Sequence, residues 1–154
     1  IVPVALQGLS SGIEKERVVK AVLLSMLVTI YVKGYTGKLT PICGAGSIAS
    51  SGAAAGLTYL YTEDYDKLKS SINNVLATLF GMTCDGAKRS CALKASVGTQ
   101  MAMNSKVLSM RNVNIPCGNG FAARDVEETI KRLEILTSSL RNFDQEIIDF
   151  IGHC

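Results

Sequence analysis

A run of very small side chains is the feature that most constrains how this chain can fold. From Ser47 to Gly56 every residue is Ala, Gly or Ser except Ile48. Small side chains let neighbouring helix backbones approach closely, although Gly and Ser lower the intrinsic helix propensity. A helix of this composition depends on packing by its neighbours. The run therefore predicts a central helix.

Other segments have the apolar spacing of helices, with start signals before three of them. Ser11 with Glu14 and Asp125 with Glu128 have the spacing of a capping box, and Thr62 is a candidate cap for a third helix. The predicted helices cover about 12–33, 47–56, 62–81, from the turn at 84–86 to about 111, 125–140 and 143–151. The first of these is so apolar that we predict it to be buried.

The rest of the chain gives no sign of a sheet or of a second domain. No segment alternates apolar and polar residues with period two, and the 154 residues contain no internal repeat or low-complexity linker. A chain of this length can bury enough surface to fold around one core. We predict an all-α, single-domain helical bundle over residues 1–154, with the small-residue helix at its centre.

Charge and cysteine content exclude several classes of protein. The formal charge is +3 without a basic cluster, which argues against binding to nucleic acid. The longest nearly uncharged stretch, Ala21–Val32, has 12 residues, whereas a membrane span needs about 20. We therefore expect no membrane partner. Five cysteines, an odd number, and no secretory signal favour a reducing cytoplasm.

Three familiar catalytic patterns are weak in this sequence. Gly44–Ala49 matches the letters of a dinucleotide fingerprint but lacks the preceding strand, so close helix packing is the better interpretation. The only histidine is His153, and this argues strongly against a hydrolase triad within this chain. The acidic pairs fall at predicted helix starts, where they serve as caps and dipole partners.

The cysteines are the strongest chemical signal. Cys43, Cys84 and Cys91 each lie in or beside a turn that contains glycine. Three thiolates that converge need a cation or a cluster to offset their repulsion and desolvation. In an unbroken helix Cys84 and Cys91 would be about 10.5 Å apart along the axis, but a turn at Asp85–Gly86 can fold them together. The alternative is that these are buried thiols acting as small hydrophobic residues.

Three motifs, in order, resemble one known family. GYTGKLTPICGAG (34–46), GMTCDGAKRSCALK (81–94) and DVEETIKRL (125–133) resemble the iron-sulfur L-serine dehydratase alpha-chain family, and most closely its L-cysteine desulfidase branch with the uncharacterised bacterial relatives. The middle motif is the most specific, with six residues between its cysteines. The resemblance covers essentially the whole chain and implies a cluster-bearing C-terminal domain whose N-terminal half is absent.

The resemblance also implies a cofactor and a reaction. The family's cluster ligands fall on Cys43, Cys84 and Cys91, which would hold a 4Fe-4S cluster with one iron open to substrate. In the family that iron binds a small amino-acid substrate, L-cysteine or L-serine, and the β-group is eliminated to give pyruvate and ammonia. The base is attributed to the N-terminal half, so this domain is expected to be inactive alone.

Further roles can be assigned around the implied cluster. Lys38, Lys88 and Lys94 can neutralise cluster charge or hold a substrate carboxylate, or they can be solvated surface amines. Asp85 can cap the following helix or orient a ligand. Cys154 is a candidate for an internal cap on the open iron, as in some serine dehydratases.

Two alternatives to the lyase hypothesis remain open at the level of sequence. The three cysteines together with Cys117 can form a closed structural zinc site in a domain without catalytic activity. The chain can also be a regulatory domain with buried thiols. The expected macromolecular partners are the N-terminal half of the same protein and a second copy in a homodimer, because the chain begins with the apolar run Ile1–Leu6.

Overall fold

A computed structural model describes residues 1–152 and shows an all-α fold. Its helices are α1 (Val2–Ser10), α2 (Lys15–Thr36), α3 (Ala49–Tyr59), α4 (Tyr65–Leu79), α5 (Ser90–Met110), α6 (Val126–Ser139) and α7 (Arg141–Gly152). A π-helical turn, Gly44–Ile48, leads into α3. The described part of the chain contains no named strand, only one isolated β-bridge. The predicted fold class is confirmed.

The small-residue helix α3 lies at the centre of the bundle. Each residue from Ser50 to Thr58 is buried, and α3 packs against α1, α2, α4 and α5. Glycine is required where α2 crosses it. A Cβ on Gly52 would overlap Thr29 Oγ1 and the Ser25 carbonyl oxygen, and one on Gly56 would lie 2.7 Å from the Ala21 carbonyl oxygen. The run of small residues therefore sets the distance between α2 and α3.

The N-terminal region differs from the prediction. Val2–Ser10 forms α1, which was not predicted, and Ser11 ends that helix instead of opening a capping box. The first residue of α2 is Lys15, and its N-cap Glu14 makes no side-chain capping bond. The predicted helix ended at about residue 33, but α2 continues through Gly34 to Thr36. Its backbone bonds outweigh the cost of one glycine near the end.

Only one face of α2 is buried. Val18, Ala21, Ser25 and Val32 face the bundle. A second apolar stripe is exposed and consists of Val19, Leu23, Met26, Leu27, Ile30 and Tyr31. The prediction of a buried helix is therefore wrong for this face, because composition alone does not tell which side a uniformly apolar helix presents to the core. By length and composition α2 would also be able to cross a membrane, a property that packed core helices share.

Two further caps differ from the sequence prediction. Asp64, not Thr62, caps α4, and its carboxylate accepts hydrogen bonds from the backbone N–H groups of Asp66 and Lys67. Asp125 is the N-cap of α6 without a side-chain capping bond. Glu128 pairs with Arg132, four residues on, at 3.2 Å. The helices themselves are where the spacing predicts them.

Candidate cysteine site

The isolated β-bridge brings two of the three predicted cysteines together. Ile42 and Thr83 face each other in antiparallel register. The backbone N–H of Cys43 donates to the Met82 carbonyl at 2.7 Å, and that of Cys84 donates to the Pro41 carbonyl at 2.6 Å. Cys43 and Cys84 are thus diagonal neighbours on one face of the bridge, a relation that separates residues by about 7 Å. A backbone contact between segments far apart in the sequence therefore brings these two cysteine residues near each other.

Cys43 lies at the start of a helix. It precedes the π-helical turn, and its sulfur accepts a hydrogen bond from the Gly46 backbone N–H at 3.2 Å. Its side chain is buried. Free N–H groups and the positive end of the helix dipole stabilise anions at this position. The environment suits a sulfur that carries negative charge, as a metal-bound cysteine does.

Cys91 lies in the first turn of α5 and folds back onto the loop that carries Cys84. Its thiol donates to the Gly86 carbonyl oxygen at 3.2 Å. Gly86 has a φ of +75°, a left-handed conformation that favours glycine, and it reverses the chain between the two cysteines. The expected turn at Asp85–Gly86 is therefore present, and Cys84 and Cys91 lie on the same short loop and helix start.

Backbone packing joins the starts of the two helices that carry Cys43 and Cys91. A Cβ on Gly46 would lie 3.2 Å from the Lys94 carbonyl oxygen and would overlap the Met82 sulfur. Gly46 lies three positions after Cys43, and Lys94 lies three positions after Cys91. The predicted close packing is therefore present at Gly46, and it holds the cysteine-bearing turns next to each other, whereas a Cβ on Gly44 would make only an ordinary contact.

Lys94 links this loop to α5. Its ammonium group lies 2.7 Å from the Thr83 carbonyl oxygen and 2.8 Å from an Asp85 carboxylate oxygen, while the other Asp85 oxygen accepts from the Ser90 hydroxyl. Burial is the largest influence on Lys94 and opposes its charge, but the hydrogen bond to Asp85, the charge of Asp85 and the negative charge of Cys43 and Cys91 together raise its pKa. The hydrogen bond from Lys94 is the main cause that lowers the pKa of Asp85. Asp85 thus fixes the loop through side chains and does not cap α5.

The Asp85–Lys94 pair predicts a pH dependence of stability. We expect Asp85→Asn to lower Tm near pH 7. Folding lowers the pKa of Asp85, so ionised Asp85 stabilises the folded state. This stabilisation is complete above the pKa of the unfolded state, about 3.9, and is lost as the pH falls through the pKa of the folded state. The pKa of Lys94 is raised, so its stabilisation of the folded state is complete below the pKa of the unfolded state, about 10.4. It is lost as the pH rises through the pKa of the folded state.

Thermal unfolding of the parent chain and the variant between pH 2 and pH 11 measures this effect. Asp149→Asn, which changes an exposed carboxylate on α7, is the matched control and is expected to leave Tm unchanged. A difference between parent and Asp85→Asn that stays constant at the acidic end would contradict the prediction.

Lys33, which the sequence did not single out, lies beside the same cysteines. It is in the last turn of α2, and its Nζ is 3.5 Å from the position that a Cβ on Gly44 would take. It lines a cavity of about 350 Å³ with Lys38 and Cys84. Burial lowers the pKa of Lys33, while negative charge on Cys84 and Cys43 opposes that change. The available signal was a lysine directly after the long apolar stretch of α2, ten residues before Cys43.

The remaining predicted residues are less closely tied to the site. Lys38 borders the cavity but is exposed, and the Lys88 side chain is exposed on the loop before α5. Cys117 is exposed in the loop between α5 and α6. Cys154 and His153 lie outside the described residues. Lys94 is therefore the predicted lysine with the clearest contacts at this site.

The thiols have the donor chemistry of an iron-sulfur site. Iron-sulfur clusters take soft cysteine thiolates, and all three cysteines lie around one loop, with Lys33 and Lys94 near them. Among the side chains that the structure describes, no three from His, Cys, Asp or Glu are close enough together to hold a single metal ion. As a thiolate ligand, Cys91 would no longer donate a hydrogen bond to the Gly86 carbonyl oxygen.

Fold and site together define an all-α domain that groups cysteine thiols at a loop and two helix starts. Residues 1–149 match the model of a family described as the serine dehydratase alpha chain. The chain belongs to this family, which confirms the resemblance seen in the three motifs. No solved structure matches it.

Curated relatives carry the name UPF0597 protein and are considerably longer. The protein of Fervidobacterium nodosum is 65% identical over 154 residues, which are 100% of this chain and 38% of the relative. The Thermosipho melanesiensis protein is 57% identical with the same coverage, and that of Clostridium perfringens is 38% identical over 97% of this chain and 35% of the relative. The chain therefore spans little more than a third of the length of these relatives.

Proposed function

We propose that this chain is the cluster-binding portion of an iron-sulfur lyase that eliminates the β-group of L-cysteine or L-serine. The observation that carries the proposal is the grouping of Cys43, Cys84 and Cys91 around one loop in a member of the serine dehydratase alpha chain family. The products would be pyruvate and ammonia, with sulfide in addition from cysteine. The proposed location is the cytoplasm, where thiols stay reduced.

We assign the following roles to residues of this chain. Cys43, Cys84 and Cys91 would hold a 4Fe-4S cluster. When bound, such a cluster supplies a Lewis-acidic iron that is not held by the protein. Lys94 compensates negative charge on Cys43 and Cys91, and Asp85 keeps Lys94 in place. Lys38 and Lys88 are proposed to attract the anionic substrate. The base that removes the α-proton is proposed to lie in the part of the protein outside these 154 residues.

Anaerobic reconstitution tests the proposal. Incubation of the chain with ferrous iron and sulfide is expected to give a brown protein that contains about four iron and four sulfide per chain and absorbs in the visible range. A colourless protein without bound iron would contradict the proposal. Binding of about one zinc per chain instead, with a lower Tm after chelation, would support the structural zinc alternative.

We also propose that the exposed stripe of α2 packs against the N-terminal part of the same protein. The relatives have more than half of their length outside the region that this chain matches. The stripe borders an apolar groove of about 520 Å³ between α2, α4 and α6, lined by Leu27, Ile30 and Leu68 among others. Large exposed apolar patches typically mark interfaces. The exposed side chains of Val2 and Leu6 on α1 add to the apolar surface.

Charge placed on this stripe is expected to prevent association. Ile30 is 64% exposed, so Ile30→Lys should leave the fold intact but abolish binding to the N-terminal part of the Fervidobacterium nodosum relative, because a buried lysine without a partner is strongly unfavourable. The control is Ile135→Lys on α6, where the isoleucine is 67% exposed and does not line the groove. Isothermal titration calorimetry measures binding.

The same variants also test whether a second copy of this chain, instead of the N-terminal part of the protein, covers the stripe. Binding of Ile30→Lys as tight as that of the parent chain would overturn the proposed docking surface. Light scattering that shows a homodimer of the parent chain, dissociated by Ile30→Lys, would assign the stripe to a second copy instead.

A further inference from the structure

A lysine without an acidic partner lies at the cysteine site. The Lys33 ammonium is half-buried against Gly44, and among the side chains that the structure describes no carboxylate lies within 4.0 Å of it. Lys94, on the other side of the site, is paired with Asp85. A partly desolvated charge without a counterion is unfavourable and creates a preference for an anion. Lys33 is therefore arranged to receive a negatively charged group.

The cavity in front of Lys33 has the size and lining for a small anion. Its volume is about 350 Å³, and none of the described side chains that line it is acidic. Leu39, Ile42 and Ile147 form apolar walls, and Cys84 brings the proposed cluster to its edge. Thr40 also lines the cavity; it is buried, and its hydroxyl has no hydrogen-bond partner in the described part of the chain. The Thr40 hydroxyl is itself closed off from solvent, so the cavity offers one half-buried cation, Lys33, next to the Cys84 thiol.

We propose that Lys33 binds the carboxylate of the amino-acid substrate in this cavity. The inference rests on the proposed function, since Cys84 would hold the cluster at which the β-group reacts. A carboxylate has two oxygens, so an ion pair with Lys33 leaves one of them free. Lys38 lines the same cavity but is exposed to solvent, which screens its charge and makes it the weaker candidate.

Two ligands that differ only in the carboxylate test this role. L-cysteine and cysteamine share the thiol and the amine, and each is titrated into the reconstituted chain while the visible spectrum of the cluster is recorded. The parent chain is expected to bind L-cysteine more tightly. Lys33→Met should weaken L-cysteine binding about 10- to 100-fold and leave cysteamine binding unchanged, since a hydrogen bond to a charged group is lost. Because the proposed base lies elsewhere, the ligand should not be consumed.

Matched variants separate this role from others. Lys15→Met removes the same charge about 27 Å away along α2 and should bind L-cysteine like the parent. Lys33→Arg keeps the charge and should keep the preference for L-cysteine. Equal affinity of Lys33→Met and the parent for L-cysteine, with equal iron content, would overturn the inference but not the proposed function. Loss of iron from both Lys33 variants would assign the lysine to cluster assembly and overturn it. A parent chain that binds no cluster would overturn both.

Discussion

Cys84→Ala is expected to remove the visible absorption of the reconstituted protein almost completely. Cys84 is one of three proposed ligands, and it lies at the edge of the cavity where substrate would meet the cluster. Loss of one of three thiolates leaves two, too few for the proposed arrangement in which only one iron is open. We expect iron content to fall from about four per chain to near zero. Absorption spectroscopy with iron and sulfide analysis measures the change.

Cys117→Ala is the matched control for this experiment. Cys117 is exposed on the loop between α5 and α6 and is not a proposed cluster ligand, so its removal should leave colour and iron content unchanged. Loss of metal on Cys117→Ala as well as on Cys84→Ala, with zinc as the metal, would favour a closed four-cysteine site and would contradict the lyase proposal. Full iron content in Cys84→Ala would also contradict it.

Gly52→Ala is expected to have the largest effect on stability. A methyl group at this position would overlap the Thr29 hydroxyl and the Ser25 carbonyl oxygen, both on α2. Because one contact is with backbone, relief requires α2 and α3 to move apart along their interface. Overpacking of this kind costs about 3 kcal/mol, which corresponds to a decrease in Tm of about 6–12 °C for a domain of this size. Thermal unfolding followed by circular dichroism measures it.

Gly34→Ala gives the control, and its expected effect has the opposite sign. Gly34 is within α2, its φ is not positive, and nothing lies within 4 Å of the position that its Cβ would take. Alanine there should raise stability by about 0.5–1 kcal/mol, because it reduces the entropy of the unfolded chain. An unchanged Tm in Gly52→Ala would mean that the α2–α3 contact adapts easily and would contradict the packing described for α3.

The centre of the fold was predictable from the sequence because a run of small residues permits few arrangements. Ser47–Gly56 has neither the charge to face water nor the bulk to form a core alone, so neighbouring helices must supply that bulk. The surface of α2 was not predictable. Its apolar residues surround the helix, and only the position of α3 decides that Ala21 is buried while Leu27 is exposed. Sequence periodicity carries no information when both faces are apolar.

Part of the candidate site was also predictable, because local sequence patterns specify the turns that carry the cysteines. The glycine-containing turns identified Cys43, Cys84 and Cys91, and the left-handed Gly86 explains how Cys91 folds back. Lys33 was missed because its relation to the cysteines depends on the path of the loop after α2, which no local pattern specifies. The choice among Lys38, Lys88 and Lys94 also needed three-dimensional contacts, since only Lys94 forms an ion pair with Asp85.

The position of Lys33 at the end of the apolar stripe has a consequence for access to the cavity. Ile30 and Lys33 are three residues apart on α2, about 4.5 Å along the axis and on neighbouring parts of one face. A protein surface that covers Ile30 would therefore lie next to the turn of α2 that carries Lys33. Binding of a protein at this face would displace water near the Lys33 ammonium group and strengthen its attraction for an anion. The binding of that protein and the affinity of Lys33 for an anionic ligand would then be thermodynamically linked.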